Sequence, residues 1–449
     1  MKTQIALKVR LYPDSQQSVL MNKTFGCCRK VYNTLLADRI SFYESNIEGK
    51  NLTKEDKSKI YASYKPLTET VLRHEFDYLK EVSSTALQQA RRDLDQAFKN
   101  FYKKKAEFPK FHSKKGKDSF REYHSVLDWR HHTIKIPKLG QVKFRHKHRP
   151  EWLSGLRLRS VSISKHPCGN YYASLAFDID RKEPMPKPVG ENQAIGLDFS
   201  PALAYVSSEG KTGKDFGYVP QKQDHAKLLR KYQRQLARKA KGSSNRLKAS
   251  RKLAKLELHI ANSRRDWIEK ETLRLVKQYS VIGIEDLNSK GLMRASKNAR
   301  NYADVSWHSF VMRLKSKASY AGCQIIQADR FYPSSRLCHV CGYKNSSLTL
   351  KDRHWLCPVC NTGHNRDLNA AINLKNFALN NARIPKDIRK FMPVEDIEAK
   401  DVMLTSDAEC PGKQELKLPS AGISNAGSEG IPGFSCGEDV NSKHRVKES

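Results

Sequence analysis

Apolar residues alternate with polar ones in QIALKVRLY, residues 4–12, the period of a half-buried strand. Pro13 and Asp14 interrupt that run, and Asp14 with Gln17 carries a capping-box signal, so a helix is expected from there to about Tyr43. A polar, lysine-rich break is expected near 46–59. Helical spacing then returns at Leu87, Ala90, Leu94, Ala97, Phe98 and Phe101, and the helices should bundle. From Phe108 the pattern shortens to strand-like runs, FPKFHSKK, TIKIPKLGQVKF, VSISKHP and NYYASLAFDI, punctuated by Gly and Pro. β-Structure that resumes after helices indicates one barrel-like domain over residues 1–182, with a helical insertion at about 14–105. The Pro-rich, polar EPMPKPVGEN, 183–192, reads as a linker.

The second half has a definite order. AIGLDFS (194–200), ALAYVSSEG (202–210) and TGKDFGYV (212–219) read as three strands joined by tight turns. Two helices rich in Lys and Arg are expected at about 224–240 and 246–278, then a buried strand at VIGIEDL (281–287), a helix at about 304–321 and a strand at CQIIQAD (323–329). A cysteine-bearing segment, 333–361, interrupts before a closing helix from Asp367. Three meandering strands followed by helix-linked strands is the order of a ribonuclease H-like fold, here over 193–332 and 362–390. The expected class is therefore multidomain, α/β together with α+β. From Phe391 onward 11 acidic and 6 basic residues leave a net charge of −5 in a Ser-, Gly- and Pro-rich tail that is expected to be disordered.

Charge narrows the function. The 449 residues carry 82 Lys plus Arg against 47 Asp plus Glu, a net of +35, which attracts a polyanion over long range and makes nucleic acid the leading partner. The cations run together in RKYQRQLARKAKGSSNRLKASRKLAKLE (230–257) and YKKKAEFPKFHSKKGK (102–117), with Tyr, Phe and His interleaved. Such runs suit phosphate tracks with aromatics available to stack bases. No recognition helix, ribonucleoprotein motif or phosphate-binding Gly-rich loop is present, so target choice is expected to be delegated to a guide. Mean hydropathy is −0.69 and no apolar run approaches the roughly 18–20 residues of a membrane span, which excludes a transmembrane class. The N-terminal MKTQIALKVRLYP has no apolar signal core, so a cytoplasmic or nucleoid-associated protein is expected.

Three acids stand where the expected fold needs them: Asp198 and Glu285 close apolar strands ending GLD and GIED, and Asp367 opens a helix in HNRDLNAA. Taken singly, an Asp at a strand end is an ordinary turn or cap residue. Together they would converge at one sheet edge, where mutual repulsion makes sense only with divalent cations. Two Mg²⁺ ions about 3.5–4 Å apart would support in-line phosphodiester hydrolysis. Asp286 and Asp329 read as supporting or structural residues, and His364 as either a nucleic-acid contact or a polar loop residue. Cys338-x2-Cys341 and Cys357-x2-Cys360, separated by 15 residues, match a four-thiolate zinc ribbon whose single ion is structural because the coordination sphere is closed. His339 and His354 are not expected among the ligands. Cys27, Cys28, Cys168 and Cys323 read as small core residues, and Cys410 and Cys436 fall in the tail.

These residues resemble the TnpB family, insertion-sequence-encoded nucleases once described as transposases and related to type V CRISPR effectors. The resemblance spans roughly 5–380 and rests on KVRLYPDSQQ…FGCCRKVYN, STALQQARRDLDQAFKNF with FPKF, IGLDFS, IGIEDLN, and DRFYPSSRLCHVCG…CPVCNTGHNRDLNAAINL. It implies RuvC-type catalytic acids at Asp198, Glu285 and Asp367, and zinc ligands at Cys338, Cys341, Cys357 and Cys360. It further implies a guide RNA from the element's own end, a double-stranded DNA target beside a short transposon-adjacent motif, a wedge-like barrel holding the RNA scaffold, and cutting that promotes element retention. One site with one RNA would suffice in a monomer. The family's frequent HDRD is HNRD here, with Asn365 replacing the first acid. A transposase acting directly and a catalytically silent RNA-guided repressor stand as alternatives.

Overall fold

The computed structural model describes residues 2–382 except 115, 117, 147–152, 154, 181–183, 296–298 and 350; the expected acidic tail, with Cys410 and Cys436, lies outside the described residues. Strand β1 (Lys2–Tyr12) leads into α1 (Ser15–Asn46) through the expected cap: the Gln17 N–H donates to Asp14 Oδ1 at 2.8 Å, and the Asp14 N–H donates to Gln17 Oε1 at 3.1 Å. The expected polar break contains a further helix, α2 (Lys54–Ser63), because Thr53 and Asp56 form a capping box; none of its residues is buried. Helix α3 (Glu69–Glu75) and a short 3-10 turn precede α4 (Ser84–Tyr102), whose buried Ala86, Leu87, Ala90, Leu94 and Phe98 repeat at helical spacing.

Six strands follow: β2 (Asp118–Glu122), β3 (Val126–Asp128), β4 (Thr133–Ile136), β5 (Gly140–Arg145), β6 (Leu158–Lys165) and β7 (Tyr171–Asp180). β1 pairs with both β7 and β5, giving a seven-stranded antiparallel sheet ordered β2-β6-β7-β1-β5-β4-β3. Val9 and Leu11 of β1 share a core with Phe25, Val31 and Leu35 of α1 and with Leu87 and Leu94 of α4. Among the described residues of FPKFHSKK, 108–114, the expected strand does not form. There the backbone of His112 pairs with the Asn33 side chain instead of a neighbouring strand, its N–H donating at 2.8 Å and its carbonyl accepting at 2.9 Å, while its ring stacks on Tyr32 at 3.8 Å.

The second sheet contains β8 (Ala194–Ser200), β9 (Ala204–Ser207), β10 (Val281–Glu285) and β11 (Gln324–Ala328) in the order β11-β10-β8-β9. β8, β10 and β11 are parallel and β9 is antiparallel, as a ribonuclease H-like sheet requires. Its expected third strand is reduced to one bridge, Val206 to Thr212, because Thr212 and Asp215 form a capping box that coils Gly213–Phe216 into a 3-10 turn. Between β9 and β10 lie α5 (Gln221–Asp224), α6 (Ala226–Ala237) and α7 (Ser244–Gln278); between β10 and β11 lie α8 (Ser289–Ala295), α9 (Ala299–Val305) and α10 (Trp307–Ala321). Tyr205, Trp267, Leu275, Ile282, Trp307 and Phe310 fill the core between this sheet and α7 and α10. β12 (His354–Leu356) and β13 (Gly363–Asn365) form a small hairpin before α11 (Arg366–Ala382), which packs on β8 and β10. Residues of the linker are tied down: Lys187 Nζ donates to the Val276 carbonyl at 2.6 Å at the end of α7, and the Lys187 N–H donates to the Gly322 carbonyl at 3.0 Å. Cys27, Cys28, Cys168 and Cys323 are buried, as expected of core thiols.

Candidate active site and metal centre

In the parallel register Ile284 lies opposite Leu197, so one residue further on Glu285 and Asp198 are neighbours. Side chains alternate along a strand, which places both acids on the face that also carries Gly196 and Gly283. Helix α11 covers that face. A Cβ at Gly196 would lie 1.9 Å from the Ala371 carbonyl oxygen, and one at Gly283 would lie 2.2 Å from that of Leu374, so only glycine lets the helix backbone touch the sheet. Two strand residues from Gly196 to Asp198 advance about 6–7 Å. Four helical residues from Ala371 back to Asp367 advance about 6 Å. Asp367 is thereby carried to the acids at the strand ends.

The electrostatics record the convergence. Burial, with the charges of Glu285 and Asp367, raises the Asp198 carboxyl well above the usual carboxylate range, against the Arg366 guanidinium and the Phe199 backbone N–H. Burial also raises Glu285, opposed by the Ser334 hydroxyl that donates to its carboxylate. Asp367 is paired with Arg353, whose Nη1 lies 3.0 and 3.2 Å from its two oxygens. Carboxylates crowded into a partly buried site are a donor set that suits a hard divalent cation. Asp286 accepts from the Gln327 amide and the Arg330 guanidinium at 2.8 and 3.2 Å, and Asp329 accepts from the Phe331 backbone N–H at 2.9 Å, so both support the surrounding structure.

Cys338, Cys341, Cys357 and Cys360 bring four sulfurs within 4.8 Å of one another. The Cys338–Cys360 and Cys341–Cys357 separations are both 3.5 Å. A tetrahedron with Zn–S bonds of about 2.3 Å has edges of about 3.8 Å, so the cluster fits that ion. Its thiols also diverge: hydrogen bonds from Thr362 lower Cys360 to about 6. Cys341 accepts a bond from the Tyr343 backbone that favours its thiolate, yet burial and the neighbouring sulfurs push it up to about 12. His364 is 3% exposed, on β13, with Nε2 3.1 Å from Cys338 Sγ and its ring against Trp355.

Asn369 and Asn373, unread in the sequence, join these two centres, and Asn365 caps the helix that carries them. Asn369 Oδ1 accepts from the His339 N–H at 3.1 Å, and its Nδ2 donates to the Leu337 carbonyl at 2.7 Å. Asn373 Nδ2 donates to the carbonyls of Ser334 and Leu337 at 2.8 and 2.7 Å. Both asparagines are buried on α11, so the first cysteine knuckle is stapled to the helix that carries Asp367. Asn365 Oδ1 accepts from the N–H groups of Asp367 and Leu368, each at 3.1 Å, and so caps that helix. Their signal was present as an Asn repeat in NRDLNAAIN, legible only once the helix has a neighbour. The basic hairpin is accessible: α6 buries no residue, and Arg230, Lys231, Arg234 and Lys248 are all exposed.

Comparison with known proteins identifies the family to which this chain belongs. Residues 307–374 match the model of a Cas12f1-like TNB domain, residues 176–296 that described as "Probable transposase", and residues 1–48 that described as a helix-turn-helix domain, which here is β1 and the single long helix α1. The chain is 34% identical over 370 residues to a "Putative RNA-guided DNA endonuclease" of Streptomyces pristinaespiralis, covering 82% of this chain and 88% of the relative. It is 30% identical over 390 residues to the "Putative RNA-guided DNA endonuclease InsQ" of Escherichia coli (strain K12), covering 83% and 92%. Among solved structures, a Cas12f1–sgRNA–target DNA complex aligns over 84% of this chain and 99% of the Cas12f1 chain, at 14% identity and a TM-score of 0.48. The chain belongs to the TnpB family.

Proposed function

We propose that this chain is an RNA-guided DNA endonuclease of a transposable element, hydrolysing target DNA beside a short transposon-adjacent motif and thereby promoting retention of the element. The observation that carries the proposal is the register that sets Asp198 beside Glu285, with α11 seated on Gly196 and Gly283 so that Asp367 joins them. Relatives covering over four-fifths of the chain are named as RNA-guided DNA endonucleases, and the +35 charge supplies the attraction for both nucleic acids.

Asp198, Glu285 and Asp367 are the catalytic carboxylates in this reading. Two Mg²⁺ ions held by them would supply charge neutralisation and an activated water for in-line attack on the scissile phosphorus. The chain's own work is positional. Ser334 orients Glu285 through its hydroxyl, Arg366 offsets the charge on Asp198, and Arg353 balances Asp367. Cys338, Cys341, Cys357 and Cys360 would hold one structural zinc ion, which locks the knuckle against which Asn369 and Asn373 fasten α11. Residues 1–182 act as a wedge-like barrel domain that holds the RNA scaffold and the motif-bearing duplex. Residues 193–332 with 362–390 form the RuvC-like nuclease, joined by the 183–192 linker and interrupted by the 333–361 ribbon. One site per chain is consistent with a monomer that cuts the two strands in turn.

The test is to co-express the chain with the RNA of its own locus, sequence what co-purifies, and assay plasmid cleavage with Mg²⁺. A defined RNA and guide-dependent cutting that Asp198→Ala reduces by at least 10³-fold are expected. Guided binding without cutting by the unaltered chain would support a repressor, and joined donor and target strands would support a transposase.

A further inference from the structure

The loop joining β11 to the cysteine ribbon crosses the end of the strand that carries Glu285. At its start the Asp286 N–H donates to the Ala328 carbonyl at 3.2 Å; at its far end the Ser334 hydroxyl donates to Glu285 itself. The backbone between is tied down at each step. Asp329 Oδ1 accepts from the Phe331 N–H at 2.9 Å, the Asp329 carbonyl accepts from the Tyr332 N–H at 3.1 Å, and the Tyr332 carbonyl accepts from the Ser334 N–H at 2.8 Å. Arg330 is paired with Asp286 at 3.2 Å, and the Tyr332 ring packs on Phe377 of α11 at 4.8 Å. With its neighbours anchored, Phe331 is left 88% exposed, an extreme matched among the described large apolar side chains only by Met185.

A phenyl ring held in water on a braced turn contributes no burial to the fold. Its place on the loop whose Ser334 reaches Glu285 gives it a different use. An enzyme whose target is chosen by base pairing must accept any base at the cut, and aromatic stacking is the base contact that tolerates all four. We propose that Phe331 is a stacking platform for a base of the DNA strand being cut, next to the scissile phosphate. The inference rests on the nuclease reading above and names a contact within its substrate site: Phe331 touches the substrate and holds the strand in line with the carboxylates, while Asp329 and Tyr332 position the ring.

The test is an abasic scan of target DNA around the cut with the RNA-loaded complex, read as single-turnover cleavage. With the unaltered chain, an abasic residue at one position should slow cutting about tenfold, the size expected for removing one base–aromatic stack. Phe331→Ala should slow cutting of intact DNA by the same factor and be indifferent to the abasic residue at that position alone, whereas Phe331→Trp should retain the rate. A readout independent of cutting places 2-aminopurine at that position in the Asp198→Ala complex, where adding Phe331→Trp should quench its fluorescence and adding Phe331→Ala should not. Zinc content and melting temperature equal to those of the unaltered chain establish that each variant is folded. The proposal is overturned if Phe331→Ala cuts at the unaltered rate, if its loss adds to the abasic loss at every position, or if the main effect of Phe331→Ala is dissociation of an oligomer in light scattering. Failure of the unaltered complex to cut would instead sink the nuclease reading, with the 2-aminopurine signal still deciding whether Phe331 stacks on DNA.

Discussion

Asn365 does at the start of α11 what an aspartate would do. Its Oδ1 accepts the two N–H groups of Asp367 and Leu368, and Asn and Asp are nearly equal helix caps, so the HNRD variant leaves the helix that carries Asp367 intact. The acids themselves were legible from their places at the ends of apolar runs. Arg353, Ser334 and the paired asparagines were not, since nothing in a linear pattern says which side chain a distant segment will meet. Glu122 was equally silent. It is fully buried on β2, accepts the Ser83 hydroxyl at 3.1 Å, and burial lifts its carboxyl from an ordinary 4.5 to about 7 against that bond. A raised carboxyl means that the native state binds its proton more tightly than the unfolded chain. Its contribution to stability is therefore fully present below about pH 4.5 and is lost as pH rises towards 7. Glu122→Gln should raise stability at pH 8 by on the order of 2–3 kcal/mol, read as a melting-temperature gain of several degrees, and change it little at pH 4. An equal gain at both pH values would show that titration of Glu122 is not the cause.

Most elements follow from local pattern, and the exceptions have local reasons. Alternation in QIALKVRLY and helical spacing in STALQQARRDLDQAF give β1 and α4 because one face of each meets a core. TGKDFGYV failed as a strand because Thr212 and Asp215 cap a turn, and FPKFHSKK failed because Asn33 supplies the backbone partners that a strand would have needed. The glycines of GLD and GIED carry more than strand spacing conveys: they are the contact on which α11 rests. Gly196→Ala drives a methyl group against the Ala371 carbonyl oxygen, and because that atom is backbone the whole helix must move. The folded, RNA-loaded variant should lose on the order of 10²-fold in single-turnover cleavage, the expected effect of a displacement near 1 Å. Circular dichroism and RNA retention check that the fold survives, and an unchanged rate would mean that α11 does not set Asp367.

At the scale of the whole molecule, charge is the property that sequence states most directly. The residues before Phe391 carry a net +40, and the exposed cations of α6 and α7 make that charge available to a phosphate backbone. Changing Arg230, Lys231, Arg234 and Lys248 together to Gln should weaken RNA binding and flatten its dependence on salt by about 0.7 in log–log slope for each phosphate no longer neutralised, measured by filter binding between about 50 and 200 mM salt. An unaltered slope would place the RNA track elsewhere. Sequence by itself determined the strong positive charge, the placing of three acids at strand and helix ends, the four-cysteine cluster and the order of most strands and helices. Each of these is written in residue type and short-range spacing, which the local backbone obeys. Tertiary structure alone decided that Asn369 and Asn373 fasten the cysteine knuckle to α11, that Gly196 and Gly283 admit that helix, and that Phe331 stands in water on the loop whose Ser334 reaches Glu285. Those are contacts between segments far apart in the chain, and their energy depends on which surfaces the packed core brings together, a quantity that no local period encodes.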